Sequence, residues 1–172
     1  MSSVRLGRSP APPGVRRSRP GADSVPFFIC PNCKDRSIDN DGRQGLLQQA
    51  VACERCGFGF LFELLDDYYP SPNTGLVACD RGGRILAAGR GVFELTGYQE
   101  KDLMGKEVAD AFGLAGFEEG QSPIAISLEW GVRRLGEKLE LRSRAGQVKP
   151  ITADVFPGYD SDGGLLVALS PR

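Results

Sequence analysis

The sequence predicts an α+β protein in which one antiparallel five-stranded sheet with short helices follows a small four-cysteine module. Two observations predict the sheet: residues 75–88 contain two short apolar runs around a glycine turn, and residues 138–169 contain three more strand patterns. A third observation predicts the module, because four of the five cysteines form two C-x-x-C pairs. The chain of 172 residues has room for both parts.

Residues 1–25 form the first segment, which is rich in proline, serine, glycine and arginine and has almost nothing to bury. Because such a segment cannot offset the entropy of ordering, we expect a disordered tail. Residues 1–24 hold five arginines and one acid, whereas the rest of the chain carries a net charge of −5. An acidic body is not typical of proteins that wrap nucleic acid, so any such contact would use the tail.

The cysteine module at 26–68 has nineteen residues between its two pairs. Two cysteines in one tight turn can direct both sulfurs at a single metal ion, and two such turns complete a tetrahedron with no open position. Gly57, directly after the second pair, can adopt a positive φ at no steric cost. The spacing predicts a structural zinc ribbon, and a redox dithiol pair or an iron site are the alternatives. The predicted ligands are Cys30, Cys33, Cys53 and Cys56.

A linker at 68–73 leads into the second region, at 74–170. A hairpin opens this region, with strands at 75–80 and 84–88. Apolar spacing and terminal glycines then predict short helices at 92–96, 99–104, 107–112 and 124–135. Three strands close the sheet, at 138–144, 147–156 and 165–169.

From Gly75 onward the sequence resembles the PAS family, over more than half of the chain. The resemblance implies a sensor or protein-interaction domain whose sheet transmits a change to a partner. In that family an asparagine often stands where Gly89 and Arg90 stand here, so the first helix lacks a usual cap. The matching elements are Asp80 with Gly83 in the first turn, Leu95-Thr96-Gly97-Tyr98, Leu103-Met104-Gly105, and the later turn glycines Gly146 and Gly163.

A sheet covered on one face by helices leaves a space between them, which is a usual place for an unidentified small-molecule ligand. Trp130 and Phe93 are candidate wall residues of that space, although Trp130 is more simply explained as core. Cys79 lies on the first strand rather than on a helix, so it does not match the cysteine motif of flavin-binding relatives, and we expect an inert buried thiol. Arg133 and Arg134 are expected on a solvated helix face.

The chain contains no histidine, which excludes imidazole-based catalysis and haem held by an imidazole. No constellation of carboxylates suggests a catalytic site, so we expect no enzyme. No stretch reaches the roughly 18 to 20 apolar residues of a membrane span. Paired cysteines that suit a metal better than disulfides favour a cytoplasmic protein.

Together these features predict a cytoplasmic signalling or regulatory module. Its zinc ribbon would fix the PAS-like domain or a homodimer of it, while a protein partner would provide the output. One alternative is a transcription-linked nucleic-acid binder that uses the ribbon and the arginine-rich tail. Another is a zinc-thiolate redox sensor, in which oxidation ejects the metal.

Overall fold

The computed structural model describes residues 27–38, 53–58, 61–64, 68–158 and 164–172. The predicted tail at 1–25 and most of the segment between the cysteine pairs therefore lie outside the described residues. The described residues form two antiparallel sheets, one of three strands and one of five. This architecture confirms the predicted α+β class and its five-stranded sheet.

The small sheet belongs to the cysteine module and has the order β2-β1-β3. Its strands are β1 at Phe27–Ile29, β2 at Arg36–Ile38 and β3 at Phe62–Leu64. The central strand pairs with both neighbours, so that Ile29 lies opposite Phe62. Ile29, Phe62 and Leu64 are buried and point into one core.

The large sheet has the order β5-β4-β8-β7-β6, with every neighbouring pair antiparallel. The first and last strands of the region, β4 and β8, lie beside each other, and β4 has the hairpin strand β5 on its other side. The strands are β4 at Gly75–Cys79, β5 at Ile85–Ala88, β6 at Arg134–Arg142, β7 at Val148–Pro157 and β8 at Leu165–Pro171.

Four short helices cover one face of this sheet. Helix α1 ends as predicted at Gly97, which has a φ of 78°. In the part of the chain that the structure describes, no helix has both the length and the apolar character needed to cross a membrane. The helices are α1 at Arg90–Thr96, α2 at Glu100–Leu103, α3 at Val108–Ala111 and α4 at Pro123–Trp130.

The predicted extension of the fourth helix to residue 135 is wrong. Helix α4 ends at Trp130 because Gly131 adopts the left-handed conformation, with a φ of 62°. Arg134 accordingly lies on β6 rather than on a helix face, and its guanidinium forms an ion pair with Glu137 at 2.7 Å.

The central strands of the large sheet, β4 and β8, are buried on both faces. Toward the helices, its alternate side chains form an inner core that includes Val77 and Val167. On the opposite face, Leu76 and Leu166 join the buried side chains of the small sheet in an outer core. Successive side chains of a strand point to opposite faces, so the central strands β4 and β8 contribute to both cores.

Tyr68, in the described part of the connection between the two sheets, packs against β7. The hydroxyl of Tyr68 donates to Oδ2 of Asp154 at 2.8 Å, and its ring lies 4.6 Å from that of Phe156, centroid to centroid. Burial and this hydrogen bond raise the pKa of Tyr68 above its ordinary value. Tyr68 therefore ties the chain that precedes β4 to strand β7.

Tyr68→Phe should lower the free energy of unfolding by about 1 to 2 kcal/mol at neutral pH, because Asp154 loses a hydrogen-bond donor. A raised pKa means that the neutral phenol stabilises the fold fully below pH about 10 and does so less as the pH rises further. The wild type should therefore lose stability above that pH more steeply than Tyr68→Phe. Denaturant unfolding at neutral pH and above pH about 10 measures the effect, and Tyr69→Phe, at an exposed tyrosine, is the control. If wild type and Tyr68→Phe lost stability equally with rising pH, the prediction would be contradicted.

Candidate metal centre

The two cysteine pairs lie in turns of the same construction. In the first, the N–H of Lys34 donates to the carbonyl of Cys30 at 2.9 Å; in the second, the N–H of Gly57 donates to the carbonyl of Cys53 at 2.8 Å. The residue after each second cysteine has a positive φ, 63° at Lys34 and 76° at Gly57. The positive φ predicted for Gly57 is thus confirmed. Both turns present their sulfurs in the same way.

Lys34 was not predicted to take this conformation, since a lysine with positive φ is strained by about 1 to 2 kcal/mol. Its ammonium group donates to the carbonyl of Pro72 at 2.6 Å, which ties the first turn to the segment before β4. The position of Lys34 after a C-x-x-C pair, equivalent to that of Gly57, is the sequence signal that indicates the conformation.

The four sulfur atoms converge on one point. All four lie within 4.8 Å of one another, and the Cys30–Cys56 and Cys33–Cys53 separations are both 3.7 Å. A tetrahedral ion with metal–sulfur bonds of about 2.3 Å would have sulfur–sulfur edges of about 3.8 Å. Disulfide sulfurs would lie about 2.05 Å apart, and the cysteines are free thiols. The four sulfur donors and the distances between them fit a metal ion that is bound by four thiolates.

The surroundings shift the pKa values of the cluster's thiols in opposite directions. Burial raises the pKa of the Cys30 and Cys33 thiols. The backbone N–H of Phe58, aided by the side chain of Asn32, lowers the pKa of the exposed Cys56 to about 6. Thiolates gathered this closely repel one another, and a bound cation would offset both the repulsion and the loss of solvation.

Asn32, between the first two cysteines, is a residue whose role the sequence did not reveal. Its Nδ2 donates to Sγ of Cys56 at 3.7 Å, and its Oδ1 accepts from the N–H of Arg90 at 3.0 Å. An amide that can donate and accept at once, placed inside a C-x-x-C turn, is the signal that could have indicated such a contact.

The other singled-out residues lie away from this cluster. Cys79 is fully buried in the inner core, as expected, and burial raises the pKa of its thiol. Trp130 is half-buried at the end of α4. Phe93 is 51% exposed, so the expectation that it lines an internal ligand space is wrong. It lies on the solvent side of α1, whereas Val92 points inward.

The sequence matches no protein-family model and no curated protein. Among solved structures, the PAS domain of nitrogen regulation protein NR(II) from Vibrio parahaemolyticus is similar with a TM-score of 0.50 and 16% identity, over 59% of this chain and 92% of that chain. The light-state dimer of the fungal blue-light photoreceptor Vivid gives 0.51 and 12%, over 62% and 82%. The second region has a PAS-like fold.

The PAS-like domain shares with these structures a five-stranded antiparallel sheet and a few short helices. At these identities the similarity concerns the fold alone. The two faces of its sheet have different neighbours, because the helices cover one and the cysteine module covers the central strands of the other. The thiol cluster thus belongs to a module that is packed directly on the PAS-like domain.

Proposed function

We propose that this chain is a non-enzymatic signalling or regulatory module, in which a structural zinc ribbon at 26–68 is fixed to a PAS-like sensor or interaction domain at 74–170. The convergence of four thiols within 4.8 Å carries the proposal. Cys30, Cys33, Cys53 and Cys56 would hold one zinc ion. Four thiolates leave no open position on the ion, so it would supply folding free energy rather than catalysis.

The burial of the outer sheet face supports a role for the ribbon in signalling. Leu76 and Leu166 on that face are fully buried together with Ile29 and Phe62 of the small sheet. A conformational change in the PAS-like domain that shifts these strands would therefore also shift the side chains of the ribbon that pack on them. A protein partner, or a second copy of the chain, would receive the signal from the combined surface.

Elemental analysis and native mass spectrometry of the freshly purified full chain test the proposal. We expect one zinc ion per chain, and the same mass spectrum reports a dimer or a retained small molecule. Cys79→Ser is the matched control and should keep one zinc, since Cys79 lies in the inner core. Iron in place of zinc, or much less than one metal ion per chain, would refute the zinc assignment.

A nucleic-acid-binding function is less well supported, because basic side chains of the ribbon have partners within the chain. Lys34 donates to Pro72, Arg55 pairs with Asp35 at 3.3 Å, and the Arg36 guanidinium lies 3.4 Å from the centroid of the Tyr69 ring. Salt-dependent retention on nonspecific DNA would favour this alternative.

The exposure of Cys56 favours a redox-sensing version as the second candidate. A peroxide that accepted two electrons from two thiolates would form one disulfide and water, and the remaining pair could not hold zinc. Zinc release on titration with peroxide, reversed by a thiol reductant, would support this version. Retention of zinc under the same treatment would exclude it.

A further inference from the structure

Helix α1 begins without a capping group of its own. Its N-cap residue is Gly89, which has no side chain, and its first turn contains no acidic side chain. The first N–H groups of a helix have no partner inside the helix and need acceptors from elsewhere. The N–H of Arg90 donates to Oδ1 of Asn32, 3.0 Å away and 58 positions earlier in the chain. An acceptor in the cysteine module thus serves a helix of the PAS-like domain.

The other end of the Asn32 side chain faces the thiol cluster. Its Nδ2 lies 3.7 Å from Sγ of Cys56 and donates to it. A primary amide has an acceptor oxygen at one end and a donor nitrogen at the other. The contacts to Arg90 and to Cys56 require the same orientation of this amide, so each contact supports the other.

The backbone around Asn32 is in equally close contact with the start of α1. The carbonyl oxygen of Pro31 occupies the place where a Cβ would stand at Gly89. Farther along, a Cβ at Gly91 would lie 2.5 Å from the carbonyl oxygen of Thr74, so the helix has no free space on that side either. The next residue, Val92, is fully buried in the inner core. A displacement of the first cysteine turn would therefore move α1 and disturb the core beneath it.

We propose that Asn32 is a positioning residue that couples the four-cysteine site to helix α1, so that metal binding at the thiols orders the start of that helix. The inference rests on the zinc site proposed above and names its regulatory connection. With zinc bound, Cys56 is a fixed thiolate that holds the Asn32 amide in the orientation Arg90 requires. Coupling is reciprocal, so an ordered α1 raises the affinity of the thiols for zinc.

Two substitutions of Asn32 in the full chain distinguish the role of the amide oxygen from that of the amide nitrogen. Asn32→Asp keeps an oxygen acceptor for the N–H of Arg90 but removes the donor to Cys56. Asn32→Ala removes both contacts. Only Asn32→Ala should therefore disorder α1 when zinc is bound, whereas both variants should bind zinc more weakly.

A substitution in the PAS-like domain tests the coupling from its other side. Gly89 has an extended backbone with a φ of −78°, which alanine adopts freely, so the main effect of Gly89→Ala is its overlap with the carbonyl oxygen of Pro31. The matched control is Gly82→Ala, where the nearest neighbour of an added Cβ is an Asp80 carboxylate oxygen at the ordinary contact distance of 3.4 Å. If the zinc site is coupled to α1, Gly89→Ala should weaken zinc binding and Gly82→Ala should leave it unchanged.

Zinc affinity is measured by competition with a chelator, and the order of α1 by hydrogen–deuterium exchange of the peptide covering 90–96 at saturating zinc. Both Asn32 variants and Gly89→Ala should bind zinc about 10 to 100-fold more weakly than the wild type. Exchange at the start of α1 should be about fivefold faster in Asn32→Ala and unchanged in Asn32→Asp. Gly82→Ala should match the wild type in both measurements.

The possible outcomes separate a failure of the coupling from a failure of the proposed zinc site. A wild type that binds no zinc would overturn the site itself. If the wild type binds one zinc but Asn32→Ala keeps wild-type affinity and exchange, the coupling alone fails. If Asn32→Ala with bound zinc loses protection in β1 as well as α1, the whole module has undocked, and that outcome also counts against a specific role of Asn32.

Discussion

Cys30→Ser is expected to abolish metal binding at the proposed four-cysteine site and to lower the free energy of unfolding by about 5 kcal/mol or more, the largest effect predicted for this chain. Cys30 is fully buried, and its sulfur is one of four that converge. Three thiolates cannot close a tetrahedron around zinc, and the binding free energy of a structural site is folding free energy. Denaturant unfolding, with elemental analysis of the same sample, measures both losses.

Cys79→Ser is the matched control for this experiment. It buries a hydroxyl in the inner core and should cost about 1 to 3 kcal/mol, but it should leave the metal content unchanged. The wild type treated with a strong chelator should show a loss of stability similar to that of Cys30→Ser. An unfolding midpoint that responds to neither treatment would show that no metal contributes to the fold.

The cysteine cluster could be predicted from the sequence because its geometry is mostly local. Cysteines three positions apart share a turn whatever the rest of the chain does, and a metal is the usual reason for two such turns. The end of α1 was predictable for a similar reason, since Gly97 can take the left-handed conformation that ends a helix. The end of α4 was missed, although Gly131 carries the same signal.

The packing of the cysteine module on the outer sheet face was not predicted, because it depends on contacts far apart in the chain. A signal was nevertheless present in the strands. The runs GLVAC in β4 and LLVAL in β8 are apolar without alternation, which indicates burial on both faces. Edge strand β6 differs, since Leu139 and Leu141 are buried on either side of the exposed Glu140.

Phe62→Ala is expected to lower the free energy of unfolding by about 3 to 5 kcal/mol, because it removes a fully buried ring from the outer core and leaves a cavity. Phe62 is 0% exposed and lies in one cluster with Leu76 and Leu166 of the large sheet. Phe93→Ala removes the same side chain from a site that is 51% exposed and should cost about 0.5 kcal/mol or less. Equilibrium unfolding by denaturant gives both values.

The shape of the transition also decides whether the two sheets form one cooperative unit. If the outer core is shared, Phe62→Ala should shift a single transition, and probes of the PAS-like domain should follow it. If the cysteine module folded on its own, the substitution would produce an early transition and leave the unfolding of the five-stranded sheet at its original midpoint. Because Leu76 and Leu166 of the large sheet pack in one core with Phe62 of the small sheet, we expect the single shifted transition.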